Sequence, residues 1–400
     1  MPPLPRRRFL SAAFLGAAPA LPAPAAASST IARVEAIPVR IPYRDTFILG
    51  RGLVAQKGSA GQYVYVRLET GDGRVGWGET IALPSWSYET VESITSTVRQ
   101  YLAPIVTGRS PFDHAAIQRQ FDETLTPAVS QGFPFAKGAV MTAVLDLAAQ
   151  TAGIPLHRLF GGKLRDRIPL AFALSIDAPE KMAQAARDWP TVTCFKVKVA
   201  GDPTVDAARV AAVAEARPGV LLWIDANQSY RPVHLEAFLK QIDGIAQVRC
   251  LEQPVRSPDW LGLRRAREKT RLPIAVDEGC FTAQDVARLA RLEAADLVVL
   301  KIAKSGGPWN CYRSAAVAEA HGLGLLGSGL TESGVGLTAS IHLFSTLDLV
   351  LPPELNGPKF LADLLVDGLA IDGNTVTVPD APGLGIRVRE DRLRELAIRA

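Results

Sequence analysis

The chain predicts an α/β protein: a modified (β/α) TIM barrel as the C-terminal domain, preceded by an α+β capping domain. Charged residues recur at nearly constant spacing, Lys198, Asp225, Glu252, Asp277 and Lys301, at intervals of 27, 27, 25 and 24 residues. Each lies near the C-terminal end of a short apolar run (CFKVKV, LLWIDAN, VRCLEQP, PIAVDEG and DLVVLKI), the pattern of a strand buried on both faces. Ala-, Leu- and Arg-rich helical stretches separate the runs, so each interval holds one strand and its crossover helix. Such units close into a barrel whose strand C-termini meet on one face, where active sites sit. Three carboxylates and several lysines then share that face.

The first segment stands apart from this pattern. Arg6, Arg7 and Arg8 are followed by an apolar stretch from Phe9 to Leu21 and by Ala25-Ala26-Ala27, matching a basic n-region, an h-region and a cleavage site. Paired arginines before Phe-Leu resemble a twin-arginine export signal. The expectation is a signal peptide over residues 1–27, read by the twin-arginine export machinery and cleaved near Ala27, with a periplasmic mature protein. The apolar stretch is too short to be a stable membrane anchor across about 30 Å of hydrocarbon. The leader carries three arginines and no acid, so without it the formal charge falls from +4 to +1. With no basic stripe and no nucleic-acid motif, nucleic acid is not an expected partner.

Residues 31–150 form the capping domain. YVYVRLET and RVGWGE alternate around Gly71-Asp72-Gly73 and predict a hairpin, followed by helical stretches over 88–101 and 136–151. Residues 48–62, ILGRGLVAQKGSAGQ, lack periodicity and read as a loop, either a mobile lid or a solvated connection. The barrel domain spans 151–360. From 361 to 400 the rhythm stops, and VTVPDAPGLGI reads as a strand and a turn within a segment packing back on the capping domain. At 48% hydrophobic content, 400 residues bury one large core and a smaller one. Cys194, Cys250, Cys280 and Cys311 lack C-x-x-C spacing, and the first two fall within strands, which favours buried thiols.

The chemistry of the shared face follows from its residue types. Asp225, Glu252 and Asp277 offer only oxygen ligands, which suit Mg²⁺, with Mn²⁺ also accommodated, better than Zn²⁺. Three acids on successive strand ends exceed what helix capping alone would place there. Lys196 and Lys198 alternate in register and so face the same side of their strand, a costly burial unless anions await them. Burial, a neighbouring ammonium and a metal ion would lower a lysine pKa toward the range of a general base.

These residues resemble a known family. Gly76-Trp77-Gly78-Glu79, Phe195-Lys196-Val197-Lys198, Ile224-Asp225-Ala226-Asn227-Gln228, Leu251-Glu252-Gln253-Pro254, Ala275-Val276-Asp277-Glu278 and Leu300-Lys301-Ile302-Ala303-Lys304-Ser305-Gly306-Gly307 occur in the order seen in the muconate-lactonizing subgroup of the enolase superfamily. The resemblance covers nearly everything after residue 31. It implies Mg²⁺ at Asp225, Glu252 and Asp277, Lys198 as principal acid/base, Lys196 as its electrostatic tuner, and Lys301 across the substrate as second base or enolate-supporting cation. Lysine bases with Mg²⁺ are the established solution of this superfamily for stabilising an enolate. The mandelate-racemase subgroup places a histidine after the seventh strand, but GLGLLGSGL carries none, so a lysine-pair mechanism is expected and no histidine is assigned a role.

Substrate contacts are expected from Glu332 beyond the seventh strand, which resembles a family position but equally suits a helix N-terminus, and from Glu354. Dipeptide epimerases of the subgroup carry Asp-x-Asp after the eighth strand to hold an ammonium; this chain has Glu354 and Asn356. Trp86 and Tyr88 can either cover the barrel mouth or join the capping core, the latter being expected. The resemblance implies an isomerase of the muconate cycloisomerase type acting on a small carboxylate through an enolate. The alternatives are a racemase or epimerase of N-acyl amino acids or dipeptides, of the Ala-Glu epimerase kind, and a periplasmic carboxylate-binding protein without turnover. A homo-oligomer is in keeping with the family, though no sequence feature identifies an interface.

Overall fold

The computed structural model describes residues 29–50 and 52–398; the predicted leader lies outside them. Five strands open the chain: β1 (Ile31–Pro42), β2 (Phe47–Leu49), β3 (Gly52–Ala55), β4 (Ala60–Thr70) and β5 (Val75–Ala82). β1, β4 and β5 pair antiparallel in that order, the expected hairpin turning at Gly73, whose φ of 86° favours glycine. The helix Pro134–Ala152 lies against β5. That approach needs a side-chain-free strand: a Cβ at Gly78 would stand 1.8 Å from Ala139 O. Buried Glu89 holds the helix N-terminus, accepting from Phe135 N at 2.8 Å and Ala136 N at 3.0 Å.

The stretch read as a loop is partly ordered. β2 and β3 form a short antiparallel hairpin anchored on the barrel, where Ile48 N donates to Ser175 Oγ at 2.9 Å and Ile176 N to Ile48 O at 3.1 Å. Phe47 stacks on Phe360 with ring centres 4.5 Å apart. Partners so distant in sequence, rather than local periodicity, hold it in place.

After β6 (Arg167–Pro169) the barrel strands follow: β7 (Phe172–Leu174), β8 (Cys194–Lys198), β9 (Leu221–Asp225), β10 (Val248–Glu252), β11 (Ile274–Val276), β12 (Leu297–Leu300) and β13 (Gly324–Gly327). All seven pair in parallel in sequence order. The ring closes through residues 349–354. Val350 N donates to Leu325 O, Glu354 N to Gly327 O and Ala171 N to Pro353 O, each at 2.9 Å. Pro352 and Pro353 have no N–H to give, so this eighth stave is a set of bridges rather than a regular strand.

Inside the ring, Cys194, Trp223, Cys250, Ala275, Val299 and Leu326 pack in one apolar cluster. Alternation along β8 then puts Lys196 and Lys198 on the same inward face as Cys194, stepping toward the strand's C-terminal end. All four cysteines are buried free thiols. The tail touches more than the capping domain. Ile398 N donates to Pro38 O and Arg394 pairs with Glu35 on β1, but Thr375–Thr377 pairs with β6 at the barrel. Among the described residues, no helix is long and apolar enough to cross a membrane.

Candidate active site

Parallel register gathers the expected residues at the C-terminal rim. Lys198 is the register partner of Asp225, and Asp225 of Glu252; Asp277 follows the end of β11 and Lys301 the end of β12. Asp225, Glu252 and Asp277 are fully buried, and Lys196, Lys198 and Lys301 nearly so. Lys198 Nζ donates to Asp225 Oδ2 at 2.6 Å, and Lys301 Nζ to Asp277 Oδ2 at 2.6 Å. Lys196 Nζ stands 3.1 Å from Asp225 Oδ2, 2.9 Å from Glu252 Oε2 and 3.4 Å from Glu354 Oε2, and 4.3 Å from the Trp223 ring centre. Lys304, three residues after Lys301, is buried and donates to Asp277 Oδ1 at 2.8 Å.

The charges in this cluster decide its titration. Burial raises the Asp225 carboxyl, yet Lys196 and Lys198 outweigh it and hold Asp225 below its usual range. Asp277 is lowered against the same burial cost, by Lys301 and Lys304. Glu252 goes the other way: burial and the nearby Asp225 charge push it well up, with Lys196 opposing. Lys196 and Lys301 depart from the sequence expectation. Burial lowers Lys196, but Asp225, Glu252 and Glu354 overcome it and raise the ammonium well above its ordinary value. Lys301 is raised in the same way, Asp277 prevailing over burial. Opposite charge at hydrogen-bonding distance outweighs desolvation here.

The rim lines a small pocket that is partly open to solvent. Lys198, Lys301, Asn227, Glu354 and Asn356 contribute its polar wall; Phe47, Leu49 and Val54 of the β2–β3 hairpin, with Leu83 and Trp86, close it from the capping side. Trp86 therefore covers the mouth, against the expectation that it joins the capping core: its ring centre is 4.7 Å from Lys301 Nζ. Tyr88 does not. It is about half exposed, and its hydroxyl accepts from Phe133 N at 3.0 Å.

The expected substrate contacts separate. Glu354 lines the cavity, held by Ser328 Oγ and by Asn356 Nδ2, while Asn356 Oδ1 accepts from Ala173 N at 3.1 Å. Both side chains are thus committed within the protein, leaving no free carboxylate pair for an ammonium. Glu332 is not among the lining residues; both its oxygens accept from Leu330 N at 2.9 Å. Burial pushes its carboxyl up to about 7. The carboxylate at the following helix N-terminus is Glu79, from the capping sheet, bonded to Ser333 N, Val335 N and Gly336 N.

Asn227 is a site residue that no role was read for, although its position two residues after Asp225 was a usable signal. It is buried; its Nδ2 donates to Glu278 Oε1 at 3.2 Å, while its Oδ1 accepts from no described residue. Trp86 Nε1 is likewise buried without an acceptor. Among the described residues, no three acidic, histidine or cysteine side chains are drawn together as a metal-holding group; lysine ammoniums stand between the carboxylates instead.

A capped barrel with buried lysines and carboxylates at its C-terminal mouth gathers reactive groups where barrel enzymes carry their active sites. The chain belongs to the enolase superfamily, in its mandelate racemase/muconate lactonizing enzyme branch, and is an isomerase. Residues 180–392 match the enolase C-terminal domain-like family, and residues 51–161 the mandelate racemase/muconate lactonizing enzyme N-terminal domain. An N-succinyl-L-Arg/Lys racemase of Bacillus cereus is 30% identical over 92% of this chain and 98% of its own length. Muconate cycloisomerase 1-2 of Acinetobacter lwoffii is 34% identical over 83% of this chain and 87% of its own. Among solved structures, the muconate lactonizing enzyme of Pseudomonas fluorescens complexed with muconolactone superposes with a TM-score of 0.86 at 30% identity, covering 93% of this chain and all of that one.

Proposed function

We propose that the chain is a Mg²⁺-dependent isomerase that forms the enolate of a carboxylate substrate, with Lys198 and Lys301 as the proton-handling groups. One observation carries this: Lys198 from β8 and Lys301 from beyond β12 line the same small cavity. An amine there can take the proton beside the substrate carboxylate, its electron pair passing into the enolate, and an ammonium on the other lysine can return a proton.

The donor set suits a hard divalent ion. Glu252 is fully buried, its Oε2 is without a hydrogen bond although Lys196 is nearby, and its negative charge is opposed by burial and by Asp225. An ion held by Asp225, Glu252 and Asp277 would relieve that, and it would supply the positive charge an enolate dianion needs. Lys196, paired to Asp225 and Glu252, holds those carboxylates in place and favours their ionised forms, against burial at Glu252, and it adds a positive charge beside Lys198.

Two reactions use this equipment: cycloisomerisation of the muconate type, and racemisation or epimerisation of N-acyl amino acids. Lysines from two different strands favour the second, which needs one group to remove a proton and another to return it. A dipeptide with a free ammonium is disfavoured because Glu354 and Asn356 are already bonded. The basic and apolar pattern of residues 1–27 supports export of the mature enzyme to the periplasm, which cell fractionation checks. The decisive test is proton NMR in D₂O with Mg²⁺. Deuterium entering an α-carbon establishes racemase chemistry, lactone formation from cis,cis-muconate establishes cycloisomerisation, and the absence of both rejects the proposed function.

A further inference from the structure

Below the charged rim, the inside of the barrel carries one aromatic side chain. Trp223, two residues before Asp225 on β9, is fully buried and faces inward by the same alternation that turns Asp225 inward. Ala171, Cys194, Cys250 and Ala275, which pack with it, are all small, so the space they leave is filled by the indole. Register sets Trp223 opposite Lys196 on β8 and opposite Cys250 on β10. Lys196 Nζ stands 4.3 Å from the ring centre. Filling the barrel does not by itself call for tryptophan. The indole Nε1 is buried and has no hydrogen-bond partner among the described residues, a cost that Phe or Leu in its place would not carry. What tryptophan offers over both is the ring face that attracts a cation most strongly, and an ammonium is what sits on that face.

We infer that Trp223 is a positioning residue: its ring is the floor on which the Lys196 ammonium rests, and it holds that charge against the rim carboxylates and beside Lys198. Lys196 is fully buried, so each side of its ammonium meets either a partner or a desolvation cost. On the rim side stand Asp225, Glu252 and Glu354, at 3.1, 2.9 and 3.4 Å. On the other side the packed side chains are Ala, Cys, Val and Leu, none of which carries an oxygen, and the indole face is what meets the charge there. Without that face the flexible lysine stem is free to tilt, and the charge beside Lys198 moves with it. Trp223 is not among the residues lining the pocket of Lys198 and Lys301, so it acts on turnover through Lys196 and not through substrate. The inference rests on the enolate-forming reading above and adds to it a residue that carries no charge of its own.

The test weakens the ring face while keeping its shape. Tryptophan bearing one, two or three ring fluorines, introduced at position 223 alone, loses electron density from the face and packs nearly as before. With N-acetyl amino acids and cis,cis-muconate as probes in D₂O with Mg²⁺, kcat should fall stepwise along the series, by about three- to thirtyfold in all, the range of a cation–π contact. KM should change by less than about twofold, because the ring does not line the pocket, and circular dichroism should be unchanged. A kcat indifferent to fluorination overturns the inference while the enolate chemistry stands. A second measurement needs no turnover. In chemical denaturation of the metal-free protein, Trp223→Leu and Lys196→Met should be non-additive, the double variant departing by at least about fivefold in unfolding constant from the product of the single effects. Additive losses overturn the inference on their own. Turnover of neither probe by the unaltered protein rejects the function beneath it, and the denaturation cycle then decides the contact.

Discussion

Glu79 Oε2 accepts a hydrogen bond from Gly336 N at 2.9 Å, joining a strand of the capping domain to the N-terminus of a barrel helix, Gly334–Phe344. The same carboxylate also takes the amides of Ser333 and Val335. One buried side chain thereby satisfies three of the amides that a helix start leaves unpaired. Glu79→Ala should cost about 2–4 kcal/mol, the range for orphaned buried donors around a lost charge. Chemical denaturation measures it; a loss below about 0.5 kcal/mol would show the contact to be dispensable.

The lysines are separable by the face they serve. Replacing Lys198 or Lys301 by Ala should each lower racemisation by at least about 100-fold, the lower end of a positioned acid or base, with circular dichroism unchanged. Each variant should still exchange the α-proton of one enantiomer, and the two should prefer opposite enantiomers. Loss of exchange for both enantiomers in either variant would contradict a two-sided arrangement.

Glu252→Gln tests the proposed metal set without reference to turnover. Titration calorimetry with Mg²⁺ should show at least about tenfold weaker binding, or 1.4 kcal/mol. Unchanged affinity would take Glu252 out of the set.

Three buried acids outside the lysine cluster predict a pH dependence. Burial raises Glu89 to about 7, Glu332 to about 7 and Asp146 to about 6, all three despite backbone hydrogen bonds that favour ionisation. With raised folded values, the folded state binds more protons than the unfolded chain. Their contribution is fully present below the unfolded values near 4 and is lost as pH rises through about 6 to 7. The melting temperature should therefore climb as pH falls from 8 to about 6.5, below which His342, His157 and His114, whose values burial lowers, oppose the climb. Asp225 and Asp277, whose values are lowered, change charge only in stronger acid and do not oppose this. Glu89→Gln should flatten the slope; an undiminished slope would show that Glu89 does not titrate in that range.

What sequence made legible was whatever repeats locally. Lys198, Asp225, Glu252, Asp277 and Lys301 were readable because each ends an apolar run at barrel spacing, and parallel register then brings them to one rim. The eighth stave was not, since two prolines erase the strand pattern and its partners, Leu325 and Ala171, lie far away in the chain. The β2–β3 hairpin hid for the same reason, its order coming from Ser175 and Phe360. Trp86 could not be assigned to a face from its neighbours alone, because what it meets is Lys301, more than two hundred residues on. The raised values of Lys196 and Lys301 were not legible, because the carboxylates that cause them come close only in the folded ring.

The seam at Glu354 sorts neighbouring positions by how freely they can change. Its backbone amide bonds to Gly327 and the carbonyl before it to Ala171, so ring closure is indifferent to which side chain residue 354 carries. Asn356 is bound differently, since its own side chain accepts from Ala173 and a replacement there disturbs the first stave. Drift toward new substrates therefore meets a side-chain network of Lys196, Ser328 and Asn356 at position 354, and the barrel backbone itself two residues later.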